Sequence, residues 1–222
     1  MYRAKVIFFD TGYNANSIDV LAGALCKRDK NSIFIKFVKT FEDLKSEVSI
    51  SDNPVIFAFS FTTFGFKKIE RELSDFIKYT NIRRNNIYYI AGGVHSTAKP
   101  RELLKIGMDF VCLGEGENTV CEFVEKLIHG NDLKTIRGLG WIEGKDIRST
   151  GLSKPVNLDD YPPFCEPYKR FNPIEITRGC IYACSFCQTP FMFKARFRHR
   201  SIENICHYVE VLKSTGLLIS GL

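Results

Sequence analysis

The feature that most constrains this 222-residue chain is a rhythm: within its first 130 residues, short apolar runs alternate with stretches whose apolar residues recur at helical spacing. Val6–Phe9, Ile33–Val38, Val55–Phe59, Ile87–Ala91 and Phe110–Leu113 are continuous enough to be strands buried on both faces. Between them, Ile18, Leu21, Ala22 and Leu25 repeat as a helix face, as do Ile69, Leu73, Phe76 and Ile77, and finally Val120, Phe123, Val124 and Leu127. Two shorter helices are expected from about Phe41 to Val48 and near Arg101 to Ile106. Asn53-Pro54 breaks the chain before the third strand, and Gly92-Gly93 closes the fourth.

Apolar strands separated by helices predict an α/β domain over residues 1–130, a doubly wound parallel sheet of Rossmann-like or flavodoxin-like type. Ligands of such sheets bind outside the carboxyl ends of the strands. Three segments fall there: Asp10-Thr11-Gly12, Ser60-Phe61-Thr62 and Gly92-Gly93-Val94-His95. Gly114-Glu115-Gly116-Glu117 ends the fifth strand. No G-x-G-x-x-G follows the first strand, which argues against a nicotinamide or flavin dinucleotide.

Residues 131–172 have a different character and are read as a hairpin and linker. Gly138–Ile142 and Lys145–Arg148 form the hairpin, turning at Glu143-Gly144. Leu158-Asp159-Asp160-Tyr161-Pro162-Pro163 is a proline-stiffened connector. From Pro173 a new strand, Ile174–Thr177, leads into a group of cysteines. Ser201 then caps a helix carrying Ile202, Ile205, Val209 and Leu212 on one face.

Charge and length exclude rather than assign. Thirty-one basic against 25 acidic residues leave +6, interspersed along the chain, which permits an anionic ligand or nucleic acid but argues for neither. No run reaches the roughly 20 apolar residues that span a bilayer, and the N-terminus lacks a secretory pattern. The chain is therefore expected in the cytoplasm, where its eight cysteines stay reduced.

Cys180, Cys184 and Cys187 are spaced C-x3-C-x2-C on one loop. Three thiolates so placed suit an iron–sulfur cube with one iron left open to a small molecule. Zinc is the rival reading, with His199 as a distant fourth ligand, but structural zinc sites usually pair two C-x2-C units. Three unrelated core thiols are the remaining alternative. Cys112 lies on a strand and Cys26, Cys121 and Cys206 on helices, where free cysteine packs as a small hydrophobe; Cys165, in the connector, reads as a plain thiol.

The stretch Arg178–Cys187, with Phe186 before the third cysteine, resembles the signature of the radical S-adenosylmethionine (SAM) superfamily. The resemblance implies a 4Fe-4S cluster on Cys180, Cys184 and Cys187, SAM on the open iron with Phe186 near its adenine, and reductive cleavage to a deoxyadenosyl radical. It further implies a low-potential electron donor of flavodoxin or ferredoxin type. The R-x-R-S pattern among Arg196, Arg198, His199 and Arg200 resembles cobalamin-associated members, which implies a contact to the SAM carboxylate or the cluster. An exposed basic loop is the alternative.

Residues 92–119 resemble the cobalamin-binding-like domain that precedes many radical SAM barrels. That implies Asp10, Gly12, Ser60, Thr62, Gly92, Gly93, His95 and Glu115 as candidate cofactor contacts. One departure stands: where cobalt-ligating domains carry D-x-H-x-x-G, this chain has Gly12 in place of the histidine, so the resemblance leaves open whether cobalamin binds. The Gly pair equally suits a tight strand-to-helix turn. Residues 173–222 are expected to be only the start of a barrel, its SAM-holding second strand lying past Leu222. The implied reaction is methyl transfer through cobalamin or a rearrangement, on a substrate the sequence does not name. A methylthiotransferase acting on tRNA and a non-catalytic cobalamin- or metal-binding module are the alternatives.

Overall fold

The computed structural model describes residues 2–48, 52–81, 86–182, 184–193 and 196–216. Residues 217–222, the end of the stretch read as the start of a barrel, lie outside them. Five parallel strands, β1 (Ala4–Phe9), β2 (Ile33–Val38), β3 (Val55–Ser60), β4 (Ile87–Gly92) and β5 (Phe110–Cys112), pair in the order β2-β1-β3-β4-β5. That is the flavodoxin-like order, whose crossover from β1 to β3 opens a crevice at the strands' carboxyl ends.

Both faces of the sheet are covered, which is why its strands read as continuous apolar runs. On one face Ile7, Phe9, Phe57 and Phe59 pack under α2 (Phe41–Ser46), α3 (Thr63–Asn81), α4 (Val94–Ala98) and α5 (Pro100–Lys105), with Phe66, Leu73, Phe76 and Leu103 fully buried among them. On the other, Val6, Phe8, Ile56 and Ile90 meet α1 (Ala15–Asp29) and α6 (Glu117–His129) through Ile18, Ala22, Leu25 and Phe123. Full burial of each such side chain contributes roughly 1.5–3 kcal/mol.

Four details differ from the sequence reading. The helix expected near 101–106 is α5, but a further short helix, α4, precedes it and is parted from it at Lys99 (φ −133°), because Pro100 disfavours helical geometry in the residue before it. The hairpin strands are β6 (Leu139–Glu143) and β7 (Asp146–Ser149), and they turn at Gly144-Lys145, with Gly144 at φ +64°. The hairpin also continues the main sheet: β6 pairs antiparallel with β5.

The strand expected over Ile174–Thr177 is instead β8 (Thr177–Gly179), paired antiparallel with β9 (Phe197–His199). Pro173 has no amide proton to offer a ladder, and the Glu175 carbonyl accepts from the Arg200 side chain. Beyond the cysteine loop come α7 (Gln188–Phe193) and α8 (Ile202–Ser214), the latter capped by Ser201 through the Asn204 amide as expected. No helix among the described residues is long and apolar enough to cross a membrane.

Candidate functional site

A cavity of about 610 Å³ lies at the carboxyl ends of β1, β3, β4 and β5. Its floor is Phe8, Ala58, Ile90 and Cys112, the last apolar side chains of those strands on the α1/α6 side. Ser17 and Leu21 of α1 and Val120 of α6 form its sides, while Pro173–Glu175, Thr177–Gly179 and Met192 close it from above. The size matches small-molecule sites, roughly 300–1,000 Å³. Ser17 is exposed and lines it, so the cavity reaches the surface along α1.

The roof is tied to the sheet by charge. Arg178 of β8, 14% exposed, reaches Glu117 at 2.6 Å, Glu115 at 3.3 Å and Glu175 at 2.6 Å. Arg198 of β9 bonds both Glu115 oxygens, and Oε2 also accepts from the Val156 amide at 2.8 Å. Burial opposes the Arg178 charge, but Glu175, Glu117 and Glu115 outweigh it and raise its pKa. Glu115 thus holds the connector and the two-stranded roof to the end of β5.

Two residues past Arg178 the cysteine loop begins. Cys184 is exposed; Cys180 and Cys187 are half-buried. The Cys187 amide donates to the Cys184 carbonyl at 3.0 Å, closing a turn between the second and third thiols. Hydrogen bonding to Thr189 holds the Cys187 thiol below its ordinary value. Phe186 is 92% exposed at the tip. Three soft thiols within eight residues are the right donors for an iron–sulfur cube. Among the described residues no three Cys, His, Asp or Glu side chains stand gathered at metal-binding range, so the loop must draw its thiolates together to bind.

The other sequence-proposed residues divide into two groups. Ser60, Gly92, Gly93 and Glu115 line the cavity; Asp10, Gly12, Thr62 and His95 are not among its lining residues. Asp10 is buried, accepts from the Gly12 amide at 2.8 Å and pairs with Arg170 at 2.7 Å. Thr62 Oγ1 accepts from the Gly65 amide at the start of α3. Gly93, at φ +90°, has no room for a side chain: a Cβ would sit 2.6 Å from the Phe61 carbonyl oxygen. His95 is fully buried, stacked on Phe66 at 4.4 Å and bonded through Nδ1 to Thr63. Burial lowers its pKa, so it sits neutral.

Of the basic segment, Arg196 is exposed, His199 bonds Thr177, and Arg200 is buried against the Glu175 and Tyr161 carbonyls. Cys112 and Cys121 are buried thiols, each pushed up to about 12 by desolvation.

Sequence reasoning passed over residues that organise the site. Asn14 donates to the Phe9 and Ser60 carbonyls, joining the β1 and β3 loops. Arg170 bridges Asp10 and Asp19 from the connector. Arg178 sits inside the quoted motif, but its Glu117 partner is 61 residues away. No spacing rule reads such a pair from one sequence.

No protein-family profile matches the chain. Its sequence is similar to an uncharacterised methyltransferase of Pyrococcus horikoshii, 28% identical over 193 residues, covering 79% of this chain and 42% of the relative. A putative methylthiotransferase of Methanocaldococcus jannaschii is 29% identical over 212 residues, 91% of this chain and 44% of that protein. Two solved folds are also similar. The radical SAM methyltransferase TsrM of Kitasatospora setae, with cobalamin and a 4Fe-4S cluster bound, has a TM-score of 0.67 at 17% identity, over 98% of this chain and 47% of that one. The cobalamin-dependent SAM radical enzyme OxsB, with aqua-cobalamin and SAM bound, has a TM-score of 0.68 at 17% identity, over 93% of this chain and 31% of that one. The chain thus shares the fold of cobalamin-dependent radical SAM enzymes, a doubly wound sheet followed by the beginning of a partial barrel. It spans less than half the length of each of these relatives.

Proposed function

We propose that this chain is the cobalamin-binding and cluster-bearing part of a radical SAM enzyme that transfers a methyl group to an unidentified substrate in the cytoplasm. One observation carries the reading: the three-thiol loop leaves the strand that roofs the cavity at the carboxyl end of a flavodoxin-order sheet. Cys180, Cys184 and Cys187 would hold the cluster. The walls from Phe8, Ala58, Ile90 and Leu21, with Ser60 and the Gly92 backbone, would hold the corrin, an apolar floor with few polar groups.

When bound, the cluster supplies the electron that cleaves the SAM sulfonium, and cobalamin serves as methyl carrier. The chain's own residues position these groups. Arg178, fixed by Glu115 and Glu117, holds the start of the cysteine loop against the cavity. Phe186 offers an exposed ring on which an adenine could stack. Gly12 leaves the β1 loop without an imidazole for cobalt. A low-potential flavodoxin- or ferredoxin-type donor would supply the electron.

The test is anaerobic purification with counts of iron, sulfide, zinc and cobalamin, beside a Cys180→Ala/Cys184→Ala/Cys187→Ala variant. About four irons and four sulfides per chain, lost in the variant, support the reading. Stoichiometric zinc without sulfide overturns it. The similarity to a putative methylthiotransferase favours a second reading, in which the first domain holds another cluster. Cys112 and Cys121, buried as neutral thiols, make poor ligands for one. A count near eight irons would restore it.

A further inference from the structure

The connector does not hang free between the sheet and the cysteine loop: it is laid along α1 and β2. Gly23 of α1 approaches it so closely that a Cβ there would lie 2.5 Å from the Phe164 carbonyl oxygen and 2.8 Å from Pro162. Lys27 donates to the Asp160 carbonyl at 2.6 Å, and the Ile35 amide donates to the Tyr168 hydroxyl at 3.0 Å. Between these anchors Cys165 is fully buried, and its sulfur stands 3.7 Å from that of Cys26 on α1. Cys26 is half-buried, so one thiol of the pair is reachable from solvent and the other is not.

We propose that Cys26 and Cys165 form a redox-active dithiol, oxidised by a small disulfide such as oxidised glutathione to an intrachain disulfide that staples the connector to α1. The sulfurs are already in van der Waals contact and must close to about 2.05 Å. The contact between the two sulfurs holds the Cys26 thiol below its ordinary value, and Cys26 is the thiol that solvent reaches, which together make it the attacking partner.

In the first step the Cys26 thiolate attacks one glutathione sulfur. The glutathione S–S bond breaks, one glutathione thiolate leaves, and Cys26 carries a mixed disulfide. Cys165 then gives its proton to the departing side and its sulfur attacks Cys26 Sγ, releasing the second glutathione. Two cysteine thiols are oxidised and one glutathione disulfide is reduced to two thiols. The Cys165 backbone exchanges two hydrogen bonds with Arg170, at 3.0 and 3.1 Å, and Arg170 pairs with Asp10 and Asp19. The staple therefore fixes the arginine that ties the connector to the end of β1.

The experiment treats the anaerobically purified chain with oxidised glutathione, blocks remaining thiols by alkylation and maps disulfides by peptide mass. Peptide assignment reads Cys180, Cys184, Cys187 and Cys206 separately, so the result is independent of cluster binding. The expected product is a Cys26–Cys165 cross-linked peptide. Cys165→Ser should trap the glutathione adduct on Cys26, and Cys26→Ser should leave Cys165 unmodified. Limited proteolysis between Tyr161 and Arg170 should slow several-fold on oxidation in the wild-type chain and not in either variant. A stable glutathione adduct on wild-type Cys26 without the cross-link would overturn the proposal. So would a Cys26 that stays alkylatable after Cys206 has reacted, or a cross-link that leaves connector cleavage unchanged.

Discussion

Arg178 is one guanidinium serving three carboxylates at the roof of the cavity, and its removal has an unequal cost. Taking away the cation leaves Glu117 buried without its partner and Glu115 with Arg198 alone, whereas taking away one carboxylate leaves Arg178 two others. Breaking a buried pair by removing one member costs about 3–5 kcal/mol. Arg178→Met is therefore expected to lose about that much stability and Glu117→Gln clearly less, as read from urea midpoints at constant m-value. A pH dependence comes from His95. Burial holds its pKa below the ordinary value, despite Glu102 at 3.6 Å and Glu70 nearby, with Lys67 and Lys99 adding to the lowering. The unfolded chain binds a proton near pH 6.5 that the folded chain refuses, so this contribution is complete above that pH and is lost as pH falls towards the folded value. Between pH 7 and 5 the wild-type chain should lose stability, by at most about 1.4 kcal/mol per pH unit from this group. His95→Gln should flatten that slope in thermal melts; an unchanged slope would assign the effect elsewhere.

α1 shows how a tertiary contact overrides local preference. In an isolated helix Gly23→Ala would stabilise by about 1 kcal/mol, since glycine is among the poorest helix formers. Here the added methyl would strike the Phe164 carbonyl, a backbone group that cannot turn aside. Gly23→Ala is expected to lower the melting temperature and to speed proteolysis between Tyr161 and Arg170, the connector being pushed off the helix; a stabilised variant would mean that the connector is not docked there. The same contrast explains what is legible in the sequence. The five strands can be read because burial on both faces makes each a continuous apolar run, and α6 because Val120, Phe123, Val124 and Leu127 repeat along it. The cysteine loop can be read because its chemistry is local, three thiols within eight residues. The docking of β6 on β5, the break at Lys99 between the unforeseen α4 and α5, and the strap over α1 depend on partners distant in sequence or on a single proline. The cavity residues divide along the same line. Ser60 and Gly92 follow from the strand-end rule, whereas the rule equally proposes Thr62 and His95, which the first turns of α3 and α4 turn to capping and packing.

The cavity is built from two parts of the molecule at once: its floor comes from the parallel sheet, and its roof from residues 173–179 and Met192. A ligand touching both must stabilise the folded chain against unfolding of either, by an amount set only by its concentration over its dissociation constant. At one hundred times that constant the gain is about 2.7 kcal/mol, and for a chain of this size each kcal/mol moves the melting temperature by about 2–4 °C. Hydroxocobalamin at saturation is thus expected to raise the melting temperature by several degrees. Ser17 gives a means of checking where it binds, because that residue is exposed, lines the cavity, and shares a 3.1 Å hydroxyl contact with Ser60. Ser17→Trp should fill the space between α1 and the sheet with little effect on the ligand-free melting temperature, and should abolish the shift. The Cys180→Ala/Cys184→Ala/Cys187→Ala chain should keep it, because the roof is held by Arg178 and Arg198 on Glu115 and Glu117 rather than by the thiols. A shift that survives Ser17→Trp would move cobalamin out of this cavity. A shift lost with the three cysteines would instead make the cluster loop, and not the charged clamp behind it, the element that closes the site.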